Sequence, residues 1–134
     1  MQPALSIAAL DGHRFRFRLV MNKLLAEKLD PTILREYDIR GIVDDTLTEE
    51  AVAAIGCAFG TVVRRSGGKS IAVGYDGRVS SVRLEAALCA GIRQSGVNVV
   101  CVGLGPSPML YFASHTLGVD AGAMITGSHN PPEY

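Results

Sequence analysis

After residue 47 the chain alternates between segments whose apolar residues recur at helical spacing and short runs rich in β-branched residues. The first helix is predicted over residues 48–65, and its apolar face consists of Val52, Ile55, Phe59, Val62 and Val63. Thr46 or Thr48 can cap this helix, and the glycine pair at 67–68 ends it. The helix is amphipathic and is therefore expected to pack its apolar face on a sheet.

The same spacing predicts five more elements, namely strands over residues 69–74, 97–103 and 119–125 and helices over residues 81–96 and 107–118. Ser107 and Pro108 fit the cap and the first position of the last helix. Strands that alternate with helices form a parallel sheet with right-handed crossovers. The run at residues 33–43 alternates imperfectly, as an extended edge segment does. We therefore predict an α/β fold of three α/β/α layers, with a mostly parallel sheet and an extended edge segment.

This architecture also predicts where a ligand would bind. All strands of a parallel sheet point the same way, so the loops after their carboxyl ends share one edge, and ligands of open α/β sheets bind along it. The loops at residues 75–80, 104–107 and 126–134 belong to that edge. A functional site is expected there.

The first 30 residues differ from the rest. Residues 1–10 carry no charge, and Arg14, Arg16 and Arg18 then alternate with phenylalanines. A signal peptide places its positive charge before the apolar stretch, and here the order is reversed. The segment is interpreted as a loosely ordered extension or the product of an upstream start codon, with a basic transit-type arm as the alternative. Residues 31–134 are predicted to form the folded domain.

Composition narrows the class of protein. With 48% hydrophobic and 19% charged residues the chain is globular rather than disordered, and its formal charge of zero gives no electrostatic support for a nucleic-acid partner. Its longest apolar run, residues 51–63, is too short to span a membrane. Cys57, Cys89 and Cys101 cannot all pair and lie in apolar elements, so we interpret them as buried reduced thiols of a cytoplasmic protein.

The last nine residues contain the most specific signal. Residues 126–131 read Thr-Gly-Ser-His-Asn-Pro directly after a predicted strand. Gly127 can adopt backbone angles that other residues resist, and the prolines prevent the strand from continuing, so Ser128 would be held on a stiff turn. This motif resembles the phosphoserine loop of the α-D-phosphohexomutases, the family of phosphomannomutases and phosphoglucomutases. The resemblance implies that Ser128 carries the phosphoryl group, with His129 beside it and Asn130 near the substrate.

Two further blocks resemble the same family in the same order. Arg-Glu-Tyr-Asp-Ile-Arg-Gly at residues 35–41 implies that Tyr37 and Arg40 lie near the phosphosugar. Tyr-Asp-Gly-Arg at residues 75–78 has tyrosine where the family usually has arginine. Arg78 either pairs with Asp76 in a simple turn or helps to hold the phosphate loop, since a guanidinium matches phosphoryl oxygens. Thr126 and Gly127 would support that loop as well.

The resemblance implies an activity and its requirements. Family members transfer the phosphoryl group of the serine to a hexose 1- or 6-phosphate, through a hexose 1,6-bisphosphate that also acts as activator, with Mg²⁺ bound to the phosphoserine. They have four domains, so this chain is expected to cover only part of the first, to lack the carboxylate ligands of the metal, and to be inactive alone. An unpaired sheet edge would then allow self-association. The alternative function is a non-catalytic phosphate- or nucleotide-binding module.

Overall fold

The computed structural model describes residues 29–127 and, before them, the strand at residues 4–8. Its elements in chain order are β1 (Ala4–Ala8), a 3-10 helix (Pro31–Ile33), β2 (Ile39–Arg40), α1 (Glu49–Arg65), β3 (Ser70–Tyr75), α2 (Val79–Gln94), β4 (Asn98–Leu104), α3 (Ser107–Thr116) and β5 (Ala121–Thr126). Every helix and strand predicted between residues 48 and 125 is confirmed, with ends that differ by two residues or fewer.

The strands form one sheet in the order β2-β1-β5-β3-β4. The central strand β3 pairs in parallel with both β4 and β5, whereas β1 is antiparallel to β5 and to β2. Because β1 is antiparallel to both neighbours, β2 runs in the same direction as β3, β4 and β5. The mostly parallel sheet is confirmed, and β2 is its extended edge segment.

Strand β1 lies in the segment for which the sequence predicted a loosely ordered extension. It pairs with β5 over five positions, from Ala4 opposite Thr126 to Ala8 opposite Gly122. Within the described residues, the strands at the edges of the sheet are β2 and β4, and self-association through an open edge stays a prediction.

The two faces of the sheet are covered by different helices. Ile71, Val73 and Ile125 point to the side of α1 and α2, and they share the main core with Ile55 and Phe59. The intervening residues of β3 and β5 point the other way, where Ala72 and Met124 pack against Leu110 of α3. This alternation follows the period of two residues in a strand. The three-layer α/β/α prediction is confirmed.

Two glycines let α1 and α2 pack closely. A Cβ atom at Gly56 would collide with the carbonyl oxygen of Leu88, and one at Gly91 would collide with that of Ala53. Neither position therefore tolerates a side chain without movement of the helices. This contact holds α2 in place beside α1. Helix α2 begins directly after the loop that follows β3.

The helix starts agree with the sequence in one case and differ in the other. The Thr48 hydroxyl accepts a hydrogen bond from the backbone N–H of Ala51 at 3.2 Å, so Thr48 is the cap of α1. Helix α3 is preceded by Pro106 at the cap position, and the predicted cap Ser107 is its first helical residue. Pro106 has an extended backbone, with ψ at 157°, and its side chain makes no capping hydrogen bond.

Of the three thiols, only Cys89 is buried. Cys57 is partly buried, Cys101 is exposed on the edge strand β4, and all three are free. The prediction of three buried thiols is therefore wrong for Cys101, because no further strand covers β4 in the described part of the chain. No helix within the described residues is both long and apolar enough to cross a membrane.

Candidate functional site

The candidate site lies where β5 ends, at the carboxyl edge of the parallel strands. Thr126 is the last residue of β5, and Gly127 follows it. The next three residues of the predicted motif, Ser128, His129 and Asn130, lie outside the described residues. The geometry of the site is therefore that of the segment leading into the serine and of its neighbours.

Asp76, in the loop after β3, joins that loop to the end of β5. One carboxylate oxygen, Oδ2, accepts a hydrogen bond from the backbone N–H of Gly127 at 2.7 Å. The other, Oδ1, accepts from the Ser81 hydroxyl at 2.5 Å and from the backbone N–H of Arg78 at 3.2 Å. The backbone N–H of Asp76 in turn donates to the carbonyl oxygen of Ile125 at 2.9 Å. Two loops distant in sequence are thus tied together by one side chain.

These contacts favour the ionised form of Asp76. Partial burial alone would raise the pKa of its carboxyl group, but the hydrogen bonds from Ser81, Gly127, Arg78 and Thr126 together outweigh burial and hold the pKa below its usual range. The start of helix α2 lies within the same contacts, and the positive end of a helix also stabilises an anion. Asp76 is therefore a negative charge at neutral pH.

The Arg78 side chain lies against both Asp76 and Gly127. Its Nε lies 3.6 Å from Oδ2 of Asp76, and both side chains are mostly shielded from solvent. A Cβ atom at Gly127 would fall within the Arg78 guanidinium, so the close approach of this cation requires glycine there. Gly127 does not have a positive φ. The expectation that this glycine serves an unusual backbone angle is thus wrong, because the guanidinium takes the space of its side chain.

The two alternatives for Arg78 are therefore not exclusive. It forms the ion pair with Asp76 that a simple turn requires, and its guanidinium also lies against Gly127, directly before Ser128. A guanidinium carries five N–H donors, more than one carboxylate can accept. This arrangement makes a positive charge part of the segment that leads into the serine.

The early block reaches the same edge through the sheet register. Ala4 of β1 lies opposite both Thr126 and Arg40, so the backbone of Arg40 stands in the row of Thr126, two strands away. Neighbouring strands are about 4.8 Å apart, which gives roughly 10 Å between these two backbones. The Arg40 Nε donates to Oδ2 of Asp38 at 2.8 Å, and the Tyr37 side chain is 80% exposed.

Beneath Gly127 the two loops enclose a small recess. Its polar lining comes from Arg78, Ser80, Ser81 and Thr126, and its apolar floor from Val43, Leu47, Val52, Leu84 and Ile125. The floor belongs to the main core and to the residues packed against it. Thr126 and Gly127 therefore lie next to the hydrophobic core.

Sequence reasoning missed the part played by Asp76 and Ser81. It considered Asp76 only as a partner of Arg78 and did not single out Ser81. One signal was available, since Asp76 directly follows a buried strand at the edge where ligands bind. Its contact with Gly127 depends on β3 and β5 being neighbours, which the order of elements along the chain does not reveal.

The fold and this edge define an α/β/α domain with a candidate site at the carboxyl ends of its parallel strands. Comparison with known proteins gives the family. Residues 31–134 match the family model for the phosphoglucomutase/phosphomannomutase alpha/beta/alpha domain I. The chain therefore belongs to the phosphoglucomutase/phosphomannomutase family and corresponds to domain I of its members.

Individual relatives agree with this assignment. The chain is 45% identical over 114 residues to a phosphomannomutase/phosphoglucomutase of Pseudomonas aeruginosa. The aligned residues cover 85% of this chain and 25% of that protein. It is 48% identical over 102 residues to a phosphoglucomutase of Neisseria meningitidis serogroup B, covering 76% of this chain and 22% of the relative.

A solved structure shows the same fold. A phosphoglucomutase/phosphomannomutase family protein from Burkholderia thailandensis superposes with a TM-score of 0.74 and 42% sequence identity, over 78% of this chain and 25% of that one. The chain thus spans about a quarter of the length of the relatives it matches.

Proposed function

We propose that the chain is the amino-terminal part of a phosphohexomutase that interconverts hexose 1-phosphate and hexose 6-phosphate. In this proposal Ser128 is the phosphoryl carrier and a hexose 1,6-bisphosphate is both the intermediate and the activator. His129 and Asn130 act beside the serine, and Tyr37 and Arg40 contact the phosphosugar. The 134-residue chain alone is expected to have no turnover, since its match covers only 25% of the length of the Pseudomonas aeruginosa relative.

The observation that carries the proposal is the hydrogen bond from Gly127 to Asp76. It anchors the residue directly before Ser128 at the edge where ligands of parallel α/β sheets bind. Family membership supplies the class of chemistry, and the anchor supplies a reason for the position of the carrier. A nucleophile that must meet a substrate in a fixed orientation gains from an anchored backbone, and Gly127 is anchored directly before Ser128.

The transfer moves a phosphoryl group between Ser128 and the hydroxyl oxygens of the sugar. The bond between Ser128 Oγ and phosphorus breaks, a hydroxyl oxygen of the hexose monophosphate takes the phosphoryl group, and the proton of that hydroxyl ends on the serine oxygen. The bisphosphate then turns and returns its other phosphoryl group to Ser128. A phosphoserine carries a charge of about −1.5 to −2 at neutral pH, so a cation nearby is favourable. Arg78 is the proposed source of that positive charge.

The described residues do not form a site suited to Mg²⁺. Among them, the one cluster of three potential ligands is Glu85, Cys89 and Cys101, and thiols do not suit this ion. Asp76 already accepts hydrogen bonds on both oxygens. Apart from a phosphate on Ser128, the Mg²⁺ ligands that the resemblance implies would have to come from outside the described residues, and we derive no step through the metal.

Mass spectrometry of the full-length protein tests the proposal. Incubation with a hexose 1,6-bisphosphate should place one phosphate on Ser128, and a hexose monophosphate should remove it. Ser128→Ala should abolish the label and nearly all turnover, because alanine has no hydroxyl to carry the phosphoryl group. Ser107→Ala is the matched control, since Ser107 lies at the same edge after β4, and it should keep both.

Two results would contradict the assignment. One is a phosphate on Ser107 or Thr126 while Ser128 stays unmodified. The other is wild-type turnover in Ser128→Ala. Phosphosugar binding without any label or turnover would instead support the non-catalytic module.

A further inference from the structure

A second cluster of reactive side chains lies away from the end of β5, where helix α2 meets the edge strand β4. Glu85 and Cys89 are four residues apart, so they share one face of α2. Cys101 reaches the same place from the middle of the edge strand β4. The carboxylate oxygen and the two sulfurs all lie within 4.8 Å of one another.

Hydrogen bonding within the cluster already centres on the carboxylate. The Cys89 thiol donates to Oε1 of Glu85 at 3.3 Å. Burial raises the pKa of the Cys89 thiol, and the negative charge of Glu85 raises it further. Burial likewise raises the pKa of the Cys101 thiol, together with its hydrogen bond to Glu85. Both sulfurs are therefore protonated at neutral pH and are poor nucleophiles, which disfavours disulfide exchange as the purpose of the pair.

We propose that Glu85, Cys89 and Cys101 bind one thiophilic divalent cation of the zinc type. Two thiolates select a borderline-soft ion such as Zn²⁺ over Mg²⁺ or Ca²⁺. Three protein ligands leave the fourth tetrahedral position to water, and Cys101 is exposed, so solvent reaches that side of the cluster.

The geometry requires only a small adjustment. Zinc–sulfur bonds of about 2.3 Å place two sulfurs of a tetrahedron about 3.8 Å apart. The ligand atoms here, all within 4.8 Å, must approach by no more than about 1 Å, which side-chain rotation can supply. The ion takes the place of the two thiol protons, which are released, and the site with two thiolates, one carboxylate and M²⁺ has a net charge of −1. A bound cation deprotonates its thiol ligands, so the raised thiol pKa does not prevent binding.

The site would join a helix to an edge strand. Binding to the folded chain stabilises it by an amount that grows with the logarithm of the ratio of free metal concentration to the dissociation constant. It lies in the middle of β4 rather than at the carboxyl edge, and so it does not depend on the proposed mutase chemistry. Its test needs no substrate and no enzymatic activity.

Titration of the reduced 134-residue chain with Co²⁺ is the direct test. One equivalent should produce the strong visible absorption of tetrahedral cobalt together with a thiolate-to-cobalt charge-transfer band in the near ultraviolet. Zn²⁺ should then bleach both, and Mg²⁺ should leave them unchanged. Cys101→Ser and Glu85→Gln should each weaken Co²⁺ binding by more than about tenfold, since even indirect partners of a metal ligand are worth about 10- to 100-fold.

The matched control is Cys57→Ser. Cys57 lies on α1 and is not a member of the cluster, so its replacement should leave the spectrum and the affinity unchanged. Cys101 is exposed, and its replacement by serine should not prevent folding, which circular dichroism verifies. Absence of the charge-transfer band in the wild-type chain, an octahedral spectrum, or an equal loss in Cys57→Ser would overturn the proposal. A disulfide between Cys89 and Cys101 formed in air, together with no cobalt binding by the reduced chain, would also overturn it.

Discussion

The carboxylate of Asp76 accepts a hydrogen bond from the backbone N–H of Gly127 at 2.7 Å, across 51 positions of sequence. This contact joins the loop after the central strand β3 to the end of β5, one residue before Ser128. Arg78 completes it, with its guanidinium against both Asp76 and Gly127. Gly127, which directly precedes the serine that we propose to carry the phosphoryl group, is therefore held by a hydrogen bond and lies against a cation.

Removal of the Asp76 carboxylate should destabilise the chain. Asp76→Ala leaves the Gly127 N–H and the Ser81 hydroxyl without this acceptor, and an unsatisfied polar group costs about 1–3 kcal/mol. Urea unfolding of the 134-residue chain measures the loss. The control is Asp45→Ala, since Asp45 is an exposed turn residue. Equal unfolding midpoints for the two variants would show that Asp76 is not an anchor.

A side chain at Gly127 should act through Arg78. Gly127→Ala places a Cβ where the guanidinium lies, so the guanidinium must move away from the loop. In the full-length protein, turnover should fall in Gly127→Ala and in Arg78→Ala. The double variant should be as active as the less active of the two single variants. Such non-additivity is typical of residues in direct contact.

The control for that series is Gly77→Ala, where an added Cβ meets no atom within 4 Å. It should retain wild-type kinetics although it lies in the same loop. Strictly additive losses in the double variant would mean that the two residues act independently.

Arg40→Ala should reduce phosphosugar handling more than stability. The ion pair of Arg40 with Asp38 leaves the arginine side chain 51% exposed, and exposed pairs contribute at most about 1 kcal/mol. Unfolding and steady-state kinetics of the full-length protein, measured together, separate the two effects. Arg65→Ala, an exposed arginine at the end of α1, should change neither. A large loss of stability with near-normal kinetics would make Arg40 a structural residue.

The pH dependence of stability should involve Asp120. Its Oδ2 accepts from the backbone N–H groups of Lys69 and Ser70, at 2.7 and 3.0 Å, and these bonds lower the pKa of the carboxyl group below its usual range. A carboxyl group whose pKa is lower when folded stabilises the protein above its unfolded pKa, near 4, and loses that contribution as the pH falls through the folded value.

Wild-type stability should therefore fall between about pH 5 and pH 2 by more than that of Asp120→Asn, whose amide does not titrate in this range. Urea midpoints across the range measure the difference. If Asp120→Asn followed the wild-type curve, the hydrogen bonds of Asp120 would not be a source of acid sensitivity.

The sequence by itself determined the elements and the identity of the motif. Apolar spacing located α1, α2, α3 and the strands β3, β4 and β5 to within two residues, because periodicity is a local property that each element needs in order to bury one face. Thr48 as a cap also followed from local rules. The serine motif indicated the family, which the comparison of residues 31–134 confirms.

Only the tertiary structure decided which elements lie side by side. Periodicity states which face of a strand is buried but not which strand is its neighbour, so the order β2-β1-β5-β3-β4 could not be read from the chain. That order brings Asp76 to Gly127, places β1 beside β5, and moves Cys101 next to Glu85 and Cys89. Each of these contacts joins residues far apart in sequence, and its energy depends on packing that no local pattern encodes.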